Sequence, residues 1–230
     1  MSAEARLSDI KQKIADYCRG CRRDPSEVTL VAVSKTNPVE SILEAVEAGQ
    51  VHFGENKVQE LVSKMDQLGD ALIWHMIGAI QTNKIRQMAN RVDWIHSVSR
   101  KKELDEIEKR AGQAGRTINV LIQVNISDED QKSGCEPGDL PALLEHAAPM
   151  QHIRVRGLMG MASFTGNMDV VRSQFRMLRE LRDKWRNHPD GQTDLEHLSM
   201  GMTNDMQAAI EEGATMVRVG TAIFGERDYG

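Results

Sequence analysis

The sequence predicts an α/β fold: a (β/α)8 barrel of the TIM type with an extra helix at the N-terminus. Eight short runs of β-branched and other apolar residues alternate with amphipathic stretches along the chain. Such alternation indicates parallel strands covered by helices. The length of 230 residues is at the small end of the range for this barrel. An open doubly wound sheet is the alternative, but its usual G-x-G-x-x-G motif does not follow the first run.

Each apolar run has the length and composition of a buried strand. The predicted strands are VTLVAVS (28–34), QVHFGEN (50–56), IWHMIGAI (73–80), VDWIHSV (92–98), INVLIQVN (118–125), IRVRGLMGM (153–161), LEHLSMGM (195–202) and TMVRVG (215–220). The helical stretch 4–22 comes before the first strand, so this extra helix either flanks or plugs the barrel. Without a linker or a low-complexity tract to divide it, the chain is predicted to be one domain over 1–230. In that domain the N-terminal helix lies within 1–24 and the barrel within 28–220.

The helices between the strands carry recognisable start and stop signals. Asn37 followed by Pro38 predicts an N-cap and a first helical residue, and Gly49 ends that helix. Ser99 is predicted to cap a helix over 100–113, and apolar residues at helical spacing predict another over 167–187. The last of these helices is predicted to begin at Thr203 or Asn204 and to end at Gly213.

Composition and charge exclude several classes of protein. The 29 basic and 34 acidic residues give a net charge of −5, which argues against a nucleic-acid partner. No apolar run is long enough to span a membrane. The N-terminus lacks the apolar segment of a signal peptide, so a cytoplasmic location is expected. Cys18 and Cys21 form a C-x-x-C within a helical pattern, where packed thiols are expected; no metal site is predicted.

One lysine at the end of the first predicted strand indicates carbonyl chemistry. Barrel enzymes place their functional groups at the carboxyl ends of the strands. Lys35 directly follows the apolar run of the first strand, where it could snorkel to solvent or serve as an amine nucleophile. A desolvated lysine amine condenses with aldehydes and ketones to form a Schiff base.

The loops after the seventh and eighth strands indicate a phosphate site. In barrels these two loops often bind phosphate through backbone N–H groups. Here they read Ser199-Met200-Gly201-Met202-Thr203-Asn204 and Gly220-Thr221-Ala222, with glycine for close approach and hydroxyl groups as donors. A lysine that condenses with aldehydes, together with a phosphate site, points to pyridoxal 5′-phosphate. A class I aldolase that acts on a sugar phosphate is a rival interpretation.

The chain also resembles the pyridoxal-phosphate homeostasis protein family, formerly called proline synthase co-transcribed. The resemblance spans essentially the whole chain, in order. It rests on the motifs VAVSKT (31–36), FGENKVQE (53–60), WHMIGAIQTNK (74–84), NISDEDQKSG (125–134), RGLMGM (156–161), LSMGMTNDM (198–206) and VRVGTAIFGER (217–227). Small departures from the family pattern affect loop details at Lys57, Ala79, Gly160 and Ala162.

The resemblance implies a site for pyridoxal 5′-phosphate. By this resemblance, Lys35 holds the cofactor as a Schiff base. The phosphate positions match Ser199, Gly201, Gly220 and Thr221, with Met200 in the same loop.

The same resemblance identifies the partner of the pyridine nitrogen and two further residues that line the cofactor. Arg218 matches the partner of the nitrogen, and Asn56 and His75 fall in the lining motifs. An arginine can only donate, so it keeps the pyridine nitrogen unprotonated and makes the cofactor a poor electron sink. The family is similar to the barrel domain of alanine racemase without its second domain.

The function expected from these residues is storage, buffering or delivery of the cofactor, without catalysis. The alternative is an amino-acid racemase that uses the same site. Racemisation needs an acid/base group on each face of the bound amino acid. Tyr17 and Tyr229 are not at strand ends, so His75 is the one conceivable second base. Enzymes that require the cofactor are possible transient partners, the chain is expected to be a monomer, and Lys132 is predicted to lie on the same face as Lys35.

Overall fold

Eight parallel strands form a closed barrel in the computed structural model, which describes residues 2–127, 133–186 and 193–225. Each strand pairs with its neighbour in sequence order, and β1 closes the barrel by pairing with β8. The strands are β1 (Thr29–Val33), β2 (His52–Glu55), β3 (Ile73–Met76), β4 (Trp94–Val98), β5 (Ile118–Gln123), β6 (Ile153–Met159), β7 (Thr193–Ser199) and β8 (Met216–Val219). The predicted (β/α)8 fold is therefore confirmed.

Helices follow the strands and cover the outside of the barrel. They are α1 (Ala3–Gly20), α2 (Val39–Glu47), α3 (Val58–Leu68), α4 (Thr82–Ile85), α5 (Lys101–Gln113), α6 (Leu140–Ala147), α7 (Met168–Trp185), α8 (Met206–Glu211) and α9 (Thr221–Phe224). Short 3-10 turns precede β1 and α6, at Pro25–Glu27 and Pro137–Asp139. None of the helices in the described ranges is long and apolar enough to cross a membrane.

The predicted strands lie where the apolar runs are, with β7 beginning two residues earlier than expected. Most of the predicted runs continue past the carboxyl end of the observed strand. The residues that end those runs lie in loops instead, although several of their backbone N–H groups still donate across the sheet, as Ser34 does to Gly54 and Gly160 does to Ser199. These loops lie at one end of the barrel and form the candidate site.

The N-terminal helix flanks the barrel and does not plug it. α1 packs against α2, α8 and α9 on the outside. Its apolar face buries Leu7, Ile10, Ile14 and Cys18. The predicted packed thiol is confirmed for Cys18, since its side chain is fully buried in this helix. Apolar burial of this face explains why a charged N-terminal segment forms a stable helix.

Besides α5, which begins at Lys101 with Arg100 and not the predicted Ser99 as its N-cap, two further helix starts differ from the sequence prediction. α2 begins at Val39 with Pro38 as its N-cap and without a side-chain cap, and the Asn37 side-chain amide donates to the Lys35 carbonyl oxygen. α8 begins at Met206 after Asp205, and the Asp205 carboxylate accepts a hydrogen bond from the Met202 backbone N–H. In both cases the polar residues hold a loop at the carboxyl end of the barrel.

Side chains on the two faces of the strands form separate cores. Residues that point outwards pack with the helices into one large cluster, which includes Phe53 and Trp74. A small second cluster contains Leu121, Met159 and Met216, with Trp94 packed against it. Since side chains alternate between the two faces of a strand, we assign this second cluster to the barrel interior. Histidines occupy much of the remaining interior, as described below.

A close approach between β6 and β7 depends on one glycine. A Cβ at Gly157 would lie 2.0 Å from the backbone oxygen of His197. The two residues are register partners, and the β6 register shifts just before this pair. There is therefore no room for a side chain at this position of β6.

We expect Gly157→Ala to lower the free energy of unfolding by about 3 kcal/mol or more, at the upper end of overpacking costs, because the atom displaced is backbone. Urea unfolding followed by circular dichroism measures this change. Gly20→Ala is the matched control, since a Cβ there meets nothing within 4 Å. A Gly157→Ala protein as stable as the control would contradict the described β6–β7 contact.

Candidate functional site

A cavity of about 240 Å³ opens at the carboxyl ends of the strands. Its lining combines residues from several loops, as expected for a barrel site. The residues that line it are Val33, Lys35, Asn37, Asn56, Ile77, Met159, Met161, Met202, Thr203, Arg218, Gly220, Thr221 and Gly225. Two cations and several uncharged polar side chains therefore share one half-apolar cavity.

Lys35 lies in a tight turn just after β1. Its side chain is half-buried, and its amine has no hydrogen-bond or ion-pair partner among the residues that the structure describes. The next residue, Thr36, has a φ of 63°, which is unusual for a residue with a side chain. Its hydroxyl donates to the Lys35 carbonyl oxygen over 2.6 Å. The turn is thus held by local hydrogen bonds while the amine stays available to a ligand.

A buried ion pair supports this turn from behind. The Lys64 amine donates to the Ser34 carbonyl oxygen over 2.7 Å and to Glu55 Oε1 over 2.6 Å. The Ser34 hydroxyl donates to the same carboxylate oxygen over 2.6 Å. Burial raises the pKa of Glu55 despite these hydrogen bonds, which oppose the shift. Glu60 of α3 accepts from the Thr36 N–H, so charged side chains hold both residues that flank Lys35.

The sequence interpretation missed this ion pair, although one signal was available. Lys64 falls on the helix face that buries Val58, Leu61 and Met65. A lysine on the apolar face of a helix needs an acidic partner nearby, because an unpaired buried charge is costly.

Arg218 is the second cation of the cavity, and it is 4% exposed. Its Nη1 donates to the Ser199 hydroxyl oxygen over 2.7 Å and its Nη2 to the Gly160 carbonyl oxygen over 3.2 Å. Burial lowers the pKa of Arg218 to about 10, and the charge of Asp205 opposes this shift. The side chain therefore remains charged at neutral pH. A guanidinium has five N–H donors, so a ligand in the cavity can accept from those not used here.

The loops after β7 and β8 form one wall of the cavity. Gly201 has a φ of 92°, and a Cβ there would lie 2.5 Å from the Cβ of Ala209 in α8. Gly220 lies against the Val33 carbonyl oxygen, which a Cβ would approach to 3.1 Å. Thr221 begins α9, where the first backbone N–H groups have no partner within the helix. Within the part of the chain that the structure describes, this wall therefore contains a glycine, a threonine and the first N–H groups of α9.

Five of the nine residues predicted to bind the cofactor line this cavity: Lys35, Asn56, Arg218, Gly220 and Thr221. The other four do not, since Ser199, Met200, Gly201 and His75 are buried behind the lining residues. Lys132 lies outside the described residues. The sequence interpretation did not include Met161, Met202 or Thr203 among the binding residues, because nothing in the sequence orients residues within a loop.

Histidines lie inside the barrel beneath the cavity. His96 Nδ1 is 3.0 Å from the Ser199 hydroxyl oxygen, and His96 Nε2 is 2.8 Å from His75 Nδ1. His75 Nε2 is in turn 3.0 Å from His52 Nδ1. Burial lowers the pKa of His75 and His96 well below the ordinary histidine value. Both rings are therefore neutral at pH 7, and neither lines the cavity.

Other reactive groups do not contribute to this site. Burial raises the pKa of the Cys135 thiol to about 12, so it is not a nucleophile at neutral pH. Within the described ranges, no group of three or more histidine, cysteine or acidic side chains is arranged to hold a metal ion.

Comparisons with known proteins identify the family. A family model described as "Alanine racemase, N-terminal domain" matches residues 6–228. Two curated relatives, both named pyridoxal phosphate homeostasis protein, are each 43% identical to this chain. The relative from Pasteurella multocida is matched over 100% of this chain and 99% of its own length, and the one from Aquifex aeolicus over 100% of both.

Solved structures agree with this assignment. An unknown protein from Bifidobacterium adolescentis is 34% identical, with a TM-score of 0.91 over 96% of this chain and 94% of its own. PipY from Synechococcus elongatus, solved with PLP bound, is 38% identical, with a TM-score of 0.82 over 92% of this chain and 100% of its own. An alanine racemase from Clostridium difficile shares only the fold, with a TM-score of 0.74 and 13% identity over 95% of this chain and 57% of the racemase. By its full-length identity of 43% and its match over residues 6–228, the chain belongs to the alanine racemase N-terminal domain family and, within it, to the pyridoxal phosphate homeostasis proteins.

Proposed function

We propose that this protein binds pyridoxal 5′-phosphate as a Schiff base on Lys35 and stores, buffers or delivers it. The observation that carries this proposal is the shared cavity of Lys35 and Arg218, with Gly220 and Thr221 on its wall. When bound, the cofactor supplies an aldehyde that a lysine amine can hold reversibly. The names of the curated relatives and the PLP-bound structure of PipY support the same cofactor.

Each lining residue has a role that fits its chemistry. The Lys35 amine has no partner among the described residues, so it is free to hold an aldehyde. The Arg218 guanidinium can only donate, which suits an unprotonated pyridine nitrogen. The loops with Gly220 and Thr221 offer the hydroxyl and backbone N–H donors that a phosphate group needs. The cavity wall contains methionines on either side, and these adapt readily to a flat ring.

The same lining supports a carrier over a racemase. Removing a proton from one face of an amino acid and returning it to the other requires two acid/base groups. Apart from Lys35, the described lining residues are amides, hydroxyls, apolar groups and a guanidinium. His75, the candidate for a second base, is buried below the cavity with both ring nitrogens in hydrogen bonds to other histidines. Delivery would then be to enzymes that require the cofactor, as transient partners.

Lys35→Ala should abolish the visible absorbance of the protein loaded with pyridoxal 5′-phosphate, because the Schiff base is the chromophore. Borohydride reduction followed by peptide mapping should find the cofactor on Lys35. Lys57→Ala is the control, because the Lys57 side chain is 71% exposed. This variant should keep the visible absorbance band. Labelling found only at another lysine would refute the assignment.

Thr221→Asp should weaken binding of pyridoxal 5′-phosphate at least about tenfold, because a carboxylate at the wall repels phosphate. An acidic residue at the first position of α9 is compatible with the helix, so the variant should fold. Thr221→Ser keeps the hydroxyl and should bind within about twofold of the original protein. Fluorescence titration gives the dissociation constant of each variant for pyridoxal 5′-phosphate. Equal affinity for the Asp and Ser variants would rule out phosphate binding at this wall.

The loaded protein should racemise L- or D-alanine no faster than free pyridoxal 5′-phosphate at the same concentration, far below the roughly 10 s⁻¹ typical of enzymes. The reason is that one face of the bound amino acid lacks an acid/base group. Chiral chromatography measures the conversion. Multiple turnovers that disappear in Lys35→Ala would favour the racemase.

A further inference from the structure

A continuous line of hydrogen bonds runs through the barrel from the cavity to the opposite end. It begins at Arg218 and passes through Ser199, His96 and His75 to His52, with contacts of 2.7, 3.0, 2.8 and 3.0 Å. Ser199 is the last residue of β7, whereas His52 is the first residue of β2. The line therefore spans the barrel from its carboxyl end to its amino end.

The line must pass through the barrel interior. His96 is on β4 and Ser199 on β7, and these strands are not neighbours in the barrel. Side chains of non-neighbouring strands can meet only by crossing the inside. Trp94, the first residue of β4, stacks on His75 with ring planes 8° apart and ring centroids separated by 5.8 Å. This packing holds the imidazole in place.

Arg218 sets a preferred direction for the bonds in the line. A guanidinium donates and cannot accept, so the Ser199 oxygen must be the acceptor of their bond. The Ser199 hydroxyl then has one proton to donate, and His96 Nδ1 is the partner within reach. A neutral imidazole that accepts at Nδ1 carries its proton on Nε2. His96 therefore donates to His75 Nδ1, and His75 Nε2 donates to His52 Nδ1.

We propose that Ser199, His96 and His75 are positioning residues for Arg218, and that His52 at the amino end of the barrel is the final acceptor that fixes their hydrogen-bond direction. This inference rests on the proposed function, because it assumes that Arg218 contacts the cofactor. Losing the acceptor at His52 leaves the His75 N–H unpaired. If the bonds between Ser199, His96 and His75 reversed, the His75 proton would move to Nδ1 and be donated to His96. The Ser199 oxygen would then accept from both Arg218 and His96, and the Ser199 hydroxyl proton would lose its partner in the line.

Substitution of His52 tests the proposal at a half-buried residue far from the cavity. In His52→Asn, the amide oxygen is attached to Cγ, as Nδ1 is, and can replace that acceptor. In His52→Leu, the acceptor is removed and a side chain of moderate size is kept. The two variants thus differ mainly in the last hydrogen bond of the line.

Nitrogen-15 NMR of the ring nitrogens reads the proton positions directly, with or without cofactor. We expect the proton on Nε2 in both His75 and His96 in the original protein and in His52→Asn. In His52→Leu we expect a mixture of tautomers at His75. A proton on Nδ1 of either ring in the original protein would overturn the proposal.

The rate at which the protein releases the cofactor measures how each His52 substitution affects the site. We expect His52→Leu to release pyridoxal 5′-phosphate about fivefold faster and His52→Asn within about twofold of the original rate, since one buried hydrogen bond separates them. Equal release rates in the two variants would overturn the link to Arg218. If the cofactor is not on Lys35, the proposed function fails, while the nitrogen spectra still decide the direction of the line.

Discussion

The arrangement of the site depends on a charged guanidinium buried inside the barrel. Arg218 is almost fully excluded from water, and the charge of Asp205 offsets the effect of this burial on its pKa only in part. Such a charge is costly unless hydrogen bonds replace its hydration. Ser199 and the Gly160 carbonyl group supply part of that replacement. The remaining donors lie beside the cavity, so burial of this arginine prepares the protein to bind an acceptor there.

The polar interior follows from the same constraint. Ser199 can satisfy Arg218 only as an acceptor, so its own proton needs a further partner, and the histidines provide a series of them. Each imidazole is both donor and acceptor when neutral, and burial keeps His75 and His96 neutral by lowering their pKa. A barrel interior that is usually filled with aliphatic side chains here holds a row of uncharged rings.

The two cations of the cavity are prepared in different ways. Arg218 is fixed by neutral acceptors inside the barrel, whereas Lys35 is fixed through its backbone by the buried pair of Lys64 and Glu55 outside it. This leaves the Lys35 side chain free to form and break a bond while its backbone stays in place. The proposed carrier function would use both properties: a firm contact with the ring of the cofactor and a covalent link that can be released.

The sequence by itself determined the barrel, the extra helix and five of the thirteen residues that line the cavity, because these depend on periodic burial and on residues near strand ends. Lys35, Gly220 and Thr221 were predictable because they follow apolar runs, whereas Arg218, inside β8, was predicted from the family resemblance. Only the tertiary structure decided that Ser199 and His75 support the site from inside the barrel. His96 and Ser199 are separated by 103 residues, and their contact arises from closure of the sheet, which no local pattern encodes. Lys64 in α3 and its partner Glu55 at the end of β2 are nine residues apart. The helix pattern shows that the lysine is buried, but the packing of α3 on β2 decides which carboxylate pairs with it.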